Sequence, residues 1–166
     1  MTSRKTDDVK EIHRTNLRFL LTRKGTVKGT VGILNNLIHD NLALMAIAQF
    51  KIAHPKLTCV YTNAGAAGID ILGKDRSGVV RLVAEVKTTL PDRHGRMMGP
   101  QKAHIKKDLD RLDNYEGEVL RYLVVISSST KHAIQKQLKT DATYANVNII
   151  NAFEEELVES EDVIDD

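Results

Sequence analysis

The segment from Thr30 to Ala53 constrains the fold most, because apolar residues recur at helical spacing along its whole length. The residues that form this stripe are Val31, Leu34, Leu37, Ile38, Leu42, Met45, Ala48 and Ile52. His54-Pro55 ends the pattern, since proline disfavours helical geometry at the residue before it. The segment therefore predicts a long, central and largely buried helix.

Shorter elements follow this helix. Runs rich in β-forming residues cover 57–62, 68–72 and 79–89, with a polar turn over 73–78. These runs predict a meander of three antiparallel strands. Gly99-Pro100 opens a predicted helix that continues to about Asn114, because proline suits the first helical position. The predicted order ends with a strand over 120–127, a helix over 130–140 and a strand over 145–152.

One domain accounts for residues 1–153. An amphipathic pattern over 7–21 predicts an extra helix, so residues 1–28 form an N-terminal helix and linker before a core of residues 29–153. The predicted fold class is α/β in the broad sense and α+β in detail. It has a central mixed sheet flanked by helices, in the order α-α-β-β-β-α-β-α-β.

The charge is distributed unevenly along the chain. Residues 154–166 contain eight acidic residues and no basic one. Residues 1–153 therefore contain 24 basic and 14 acidic residues. A positively charged body is typical of proteins that approach nucleic acid, although a solvated basic surface would have the same composition. We interpret residues 154–166 as an acidic tail that competes with phosphate for the basic surface.

Other composition features narrow the setting. The longest apolar run, 42–48, is too short to cross a bilayer, which predicts a protein without a membrane partner. The single cysteine, Cys59, lies in an apolar run, as a core thiol would, and favours a reducing, cytoplasmic location. The six histidines have no paired spacing of the zinc-binding kind, and no glycine-rich phosphate-binding loop is present.

Two charged residues, Glu85 and Lys87, interrupt the most apolar of the predicted strands. Because side chains of a strand alternate between faces, residues two apart leave the same face. The turn before this strand would bring Asp70 within a residue or two of Glu85, with the register left open. The alternative is an exposed hairpin with solvated charges, but the apolar neighbours of these residues argue against it.

Two carboxylates that converge within a few ångström repel each other unless a cation binds between them. Asp70 and Glu85 offer hard oxygen donors, which suit Mg²⁺ and also Mn²⁺. Such a metal would polarise a phosphoryl oxygen and acidify a bound water, while Lys87 would orient that water and offset charge on the phosphate. The trio predicts a magnesium-dependent phosphodiesterase site whose catalytic residues are Asp70, Glu85 and Lys87.

Gly68-Ile69-Asp70, a gap of 14 residues and then Glu85-Val86-Lys87 resemble the signature of the PD-(D/E)xK nuclease superfamily. That superfamily includes restriction endonucleases, junction resolvases and repair nucleases. The predicted order over residues 30–127 is similar to its common core: a helix, a three-stranded meander, a helix and a strand. The resemblance implies a restriction endonuclease-like core, with Lys87 as the catalytic lysine. It also implies that Asp70, Glu85 and the backbone carbonyl of Val86 bind the metal.

The chain departs from the family pattern at two places. Ile69 stands where the family name has proline, which many members lack. Members often add an acid from the first core helix, and here only Asp40 is available. Asp40 is therefore a candidate to which the sequence gives no role.

A basic loop leaves the predicted site and leads into the next helix. We expect five residues there to bind substrate: Arg93, Arg96, Gln101, Lys102 and His104. The amide groups at the start of that helix could bind phosphate as well. By the resemblance, Gln101 stands where related nucleases often contact the substrate.

The sequence thus favours a magnesium-dependent DNA endonuclease, and a type II restriction-type enzyme first. One site per chain means that cutting both strands of a duplex requires a homodimer. The alternatives are a Holliday junction resolvase or repair nuclease acting on branched DNA, and a non-catalytic nucleic-acid-binding module. The recognition sequence, the cleavage pattern and the choice between DNA and RNA stay open at this point.

Overall fold

A computed structural model describes residues 11, 14–16, 31–62, 68–138 and 143–153. Its elements are α1 (Val31–Ala53), β1 (Thr58–Tyr61), β2 (Ile71–Lys74), β3 (Val80–Lys87), α2 (Gly99–Asp113), β4 (Leu120–Val125), α3 (Ser128–Gln137) and β5 (Val147–Asn151). Within the helix predicted over 7–21, only residues 11 and 14–16 are described, and they are helical. The predicted linker to residue 28 and the acidic tail, 154–166, lie outside the described residues.

The five strands form one mixed sheet in the order β1-β2-β3-β4-β5. β1, β2 and β3 are antiparallel neighbours. β4 pairs with β3, and β5 with β4, in parallel. Parallel neighbours need a crossover connection, and α2 and α3 provide the two crossovers. The predicted α+β architecture, a mixed sheet flanked by helices, is therefore confirmed.

The core has two halves, one on each face of the sheet. α1 covers one face with fully buried side chains that include Ile38, Leu42, Met45 and Phe50. α2 and α3 cover the other face with fully buried side chains that include Ile105, Leu109, Leu112 and Ile134. β3 contributes Leu82, Ala84 and Val86 to the first half and Val83 to the second. Successive residues of β3 therefore face different helices.

β2 lies later in the chain than the sequence predicted. The strand spans Ile71–Lys74 rather than 68–72, so Gly73 and Lys74 belong to the sheet and not to the following turn. A Cβ at Gly73 would lie 2.9 Å from Leu82 Cβ and 3.3 Å from Cys59 Sγ. The glycine therefore permits the close approach of neighbouring strands, a role that sequence alone does not distinguish from a turn.

The helix bounds follow local chemistry. α1 and α2 begin and end within a residue of the predicted bounds. α3 begins at Ser128, two residues before the predicted Thr130, because Ser127 Oγ accepts a hydrogen bond from the Thr130 N–H at 3.1 Å. Among the described residues, none of the helices combines the length and apolar character needed to cross a membrane.

Candidate active site

β3 carries Glu85 and Lys87 on the face that packs against α2. Asp70 immediately precedes β2, and because Ile71 pairs with Ala84, the backbone of Asp70 lies beside that of Glu85. The Oδ2 atom of Asp70 accepts a hydrogen bond from the N–H of Val86 at 2.8 Å. The structure thus brings Asp70 to the same end of β3 as Glu85.

The backbone before β2 is irregular and fixes the direction of Asp70. Gly68 has a φ of +119°, which side-chain-bearing residues rarely adopt. Thr62 ties this segment to the end of β1, since its hydroxyl donates to the Ile69 carbonyl at 2.7 Å and its N–H donates to the Asp70 carbonyl at 2.9 Å. Asp70 is therefore held by its own backbone as well as by its carboxylate.

The pKa values of Asp70 and Glu85 are shifted in opposite directions. Burial and the neighbouring charge of Asp70 raise the pKa of Glu85 to about 8, and the side chain of Glu85 is only 2% exposed. Burial alone would raise the pKa of Asp70, but hydrogen bonds with His39 and the Val86 N–H hold it below its usual value. Adjacent carboxyl groups whose pKa values move apart are characteristic of catalytic and metal-binding sites.

α2 contributes two charged side chains to this cluster. The Nζ atom of Lys87 lies 2.6 Å from Oδ2 of the buried Asp108. The Nη1 atom of Arg111 donates to Glu85 Oε1 at 2.5 Å and lies 3.7 Å from Asp108 Oδ1. Glu85 and Lys87 therefore each have a partner of opposite charge on α2.

Sequence reasoning missed both Asp108 and Arg111, although a signal for Asp108 exists. The buried residues of α2 are Ile105, Asp108, Leu109 and Leu112, so Asp108 lies on the apolar stripe of its own helix. A carboxylate on such a stripe is seldom buried without a charged partner. No comparable signal marks Arg111, whose side chain is 34% exposed.

α1 reaches the cluster from the other layer through His39. The Nε2 atom of His39 lies 3.4 Å from Asp70 Oδ2, and its Nδ1 atom lies 3.0 Å from the hydroxyl of Tyr61. That hydroxyl donates to Asp40 Oδ1 at 2.5 Å, so we assign the ring proton to Nδ1. Asp40 thus connects to Asp70 through Tyr61 and His39.

The five residues expected to bind substrate form two groups: Arg93 and Arg96 lie in the loop before α2, and Gln101, Lys102 and His104 lie on α2 itself. Gln101 caps α2, because its side-chain oxygen accepts a hydrogen bond from the Met98 N–H at 2.9 Å. Arg96 contacts Asp92 within the loop, with 3.2 Å between Nε and Oδ2, and its side chain is 69% exposed. Arg93 and His104 are exposed.

Lys102 and Arg96 line an open cleft beside the start of α2. The other polar residues of the cleft are His94 in the loop and Lys136 and Gln137 on α3, and none of its lining residues within the described ranges is acidic. Gln137 holds the loop to α3 by accepting from the Met97 N–H at 3.4 Å and donating to the Gly95 carbonyl at 3.2 Å. The cleft is therefore positively charged, with a contribution from α3 that the sequence did not predict.

The donor chemistry of the cluster fits a hard divalent cation. Within the described ranges, no three or more His, Cys, Asp and Glu side chains already form a metal centre. Asp70 and Glu85 are nevertheless neighbouring oxygen donors, and the negative charge of Asp70 opposes ionisation of Glu85. A bound cation would relieve that repulsion.

The chain was compared with models of protein families, with curated protein sequences and with solved structures, and none of them matches it.

Proposed function

We propose that this protein is a metal-dependent DNA endonuclease with a restriction endonuclease-like fold. The observation that carries the proposal is the convergence of Asp70, Glu85 and Lys87 at one end of β3, with Asp70 Oδ2 hydrogen-bonded to Val86 N–H at 2.8 Å. The element order supports it, because α1, the antiparallel β1 to β3, α2 and β4 follow each other as in the common core of the PD-(D/E)xK nucleases.

Asp70, Glu85 and the backbone carbonyl of Val86 are the residues that would hold Mg²⁺, or alternatively Mn²⁺. When bound, the cation supplies Lewis acidity, which polarises a phosphoryl oxygen and lowers the pKa of a water molecule. Burial and the adjacent Asp70 raise the pKa of Glu85, so a bound cation, which favours the ionised carboxylate, would lower that pKa.

Lys87 is held ready to act on the attacking water. Asp108 fixes the direction of its ammonium group through the 2.6 Å ion pair, and 23% of the Lys87 side chain is exposed. An ammonium held in this way can donate to the water and offset the charge that develops on the phosphate oxygens.

The basic cleft gives the proposed site a surface for the DNA backbone. Lys102 lies six residues before Asp108 on α2, which is about 9 Å along the helix axis. Arg96, Lys102 and Lys136 could therefore contact phosphates adjacent to the one that is cut. Such contacts fix the position of the substrate on the protein but do not read its sequence.

Within this function, a type II restriction-type enzyme that acts on double-stranded DNA as a homodimer is our first proposal. A Holliday junction resolvase or repair nuclease of the same superfamily is the alternative, and it would prefer branched DNA regardless of sequence. A non-catalytic nucleic-acid-binding module is disfavoured by the paired charges, since DNA binding alone needs no buried carboxylate beside Lys87.

The test is cleavage of duplex and branched DNA with Mg²⁺ by the wild type, Asp70→Ala, Lys87→Ala and Lys74→Ala. Lys74 is exposed and lies at the opposite end of β2 from Asp70, so its variant is the matched control. We expect the first two variants to lose at least about 100-fold in rate and the control to keep wild-type activity. Equal activity in all four proteins would refute the site, and absence of cleavage with every substrate and metal would refute the function.

A further inference from the structure

Arg111 lies among three oxygen acceptors, one of which belongs to Glu85, a proposed metal ligand. Three oxygens surround its Nη1 atom: Glu85 Oε1 at 2.5 Å, the Gly68 carbonyl at 2.9 Å and Asp108 Oδ1 at 3.7 Å. Two carboxylates and a backbone carbonyl are also the donors that a hard divalent cation takes in proteins. A single cationic nitrogen thus stands where such donors converge.

The charges around Glu85 explain why a cation is needed there. Glu85 is buried beside a second carboxylate, Asp70, so its negative charge is costly unless it is matched. Lys87 lies on the same face of β3, but its ammonium is paired with Asp108 at 2.6 Å. Arg111 is the cation in direct contact with Glu85 in the described part of the chain.

We propose that Arg111 is an internal cation that occupies Glu85 in the metal-free protein and is displaced from it when a divalent metal binds. The inference rests on the proposed function, because it assigns Glu85 to the metal. Arg111 is then a positioning residue. It keeps Glu85 oriented toward Asp70 before the metal arrives, and it competes with the metal for the same carboxylate.

The geometry allows this exchange without refolding. The side chain of Arg111 is 34% exposed and lies in the last turn of α2, whereas that of Glu85 is only 2% exposed. The arginine can therefore leave toward solvent while Glu85 stays in place. Its contact with the Gly68 carbonyl does not depend on Glu85, so the guanidinium can stay near the site after displacement.

The experiment measures Mn²⁺ binding in the absence of DNA. Binding is monitored by the decrease of the electron paramagnetic resonance signal of free Mn²⁺. The variants are Arg111→Gln, Arg111→Lys, Glu85→Gln and the control Arg81→Gln. Arg81 also pairs with a carboxylate, Asp75, at 2.9 Å, so its variant removes an equal charge and an ion pair at the other end of β3.

We expect Arg111→Gln to bind Mn²⁺ about tenfold more tightly than wild type, because a competing positive charge has been removed. Arg111→Lys keeps the charge and should stay within about threefold of wild type. Arg81→Gln should match wild type, and Glu85→Gln should lose the site. If wild type binds Mn²⁺ but Arg111→Gln binds equally or more weakly, the inference is wrong while the proposed function stands. If no protein binds Mn²⁺, both are wrong.

A second measurement does not depend on the folding of the glutamine variant. The side-chain Nε–H resonance of Arg111 in wild-type protein is assigned by its absence from the Arg111→Lys spectrum. Displacement predicts that this resonance shifts when Mg²⁺ is added in the absence of DNA. An unchanged resonance at a Mg²⁺ concentration that saturates the site would overturn the inference.

Discussion

The two ends of β3 carry similar ion pairs with opposite electrostatic outcomes. Near its start, Arg81 pairs with Asp75 at 2.9 Å, and near its end Arg111 pairs with Glu85 at 2.5 Å. Hydrogen bonds from Ser77 and Arg81 lower the pKa of Asp75 to about 2. Burial and the adjacent Asp70 raise the pKa of Glu85 to about 8 despite its arginine.

The difference shows that an arginine partner does not by itself determine the charge of a carboxyl group. Asp75 accepts bonds from the Ser77 and Val79 N–H groups, so its ionised form stabilises the turn between β2 and β3. Glu85 has a second carboxylate as a neighbour and almost no contact with solvent. The first pair thus has a structural role, whereas the second lies where we propose that a cation binds.

The ion pair between Lys87 and Asp108 should have the strongest influence on activity. Asp108→Asn should lower the rate of DNA cleavage about 10- to 100-fold, because Lys87 loses the carboxylate that directs it. Asp110→Asn is the control, since Asp110 lies on the same helix but pairs with the exposed Lys106. Rates measured at saturating Mg²⁺ should separate the two variants. Equal rates would mean that Asp108 only stabilises the fold.

The next effect is on the pH dependence of stability without metal. The folded protein binds the proton of Glu85 more tightly than the unfolded chain does, so this contribution is complete below pH 4.5 and is lost as pH rises through about 8. Between about pH 5 and 9, wild type should lose on the order of 4 kcal/mol relative to Glu85→Gln. Urea unfolding with a chelator at each pH measures the difference.

Asp75 should behave in the opposite way. Its folded pKa of about 2 lies below the ordinary 3.8, so its contribution is present above pH 3.8 and is lost as pH falls through about 2. Asp75→Asn should therefore differ from wild type at neutral pH and converge with it in acid. Parallel pH profiles for the Glu85 and Asp75 variants would show that the two carboxyl groups do not differ in this way.

The smallest expected effect is on the salt dependence of DNA binding, and it compares a lysine of the basic cleft with a lysine at the far end of β2. Lys102→Ala, in the basic cleft, should reduce the slope of log affinity for DNA against log salt concentration by about one, with little dependence on sequence. Lys74→Ala, at the far end of β2, should leave that slope unchanged. Binding measured with Ca²⁺ in place of Mg²⁺ over a salt series makes the test. An equal loss in both variants would remove the cleft from the interface.

Much of the fold was predictable because its signals are local. The apolar stripe of α1, the β-rich runs and Gly99-Pro100 each act within a few residues, and the observed bounds follow them closely. β2 lies later in the chain than predicted because Gly73 belongs to the strand, where it packs closely against Leu82 on the neighbouring strand. The early start of α3 came from the cap at Ser127, which is also local but was overlooked.

The amino-acid pattern was enough to predict that Glu85 and Lys87 share a face of a buried strand, because side chains of a strand alternate. It also indicated that Asp70 would lie nearby. The partners of these residues emerged from the folded structure: Asp108 and Arg111 come from α2, and His39 comes from α1. The reason is physical, because strand alternation is a property of consecutive residues, whereas these contacts depend on strand register and on how each helix packs against the sheet.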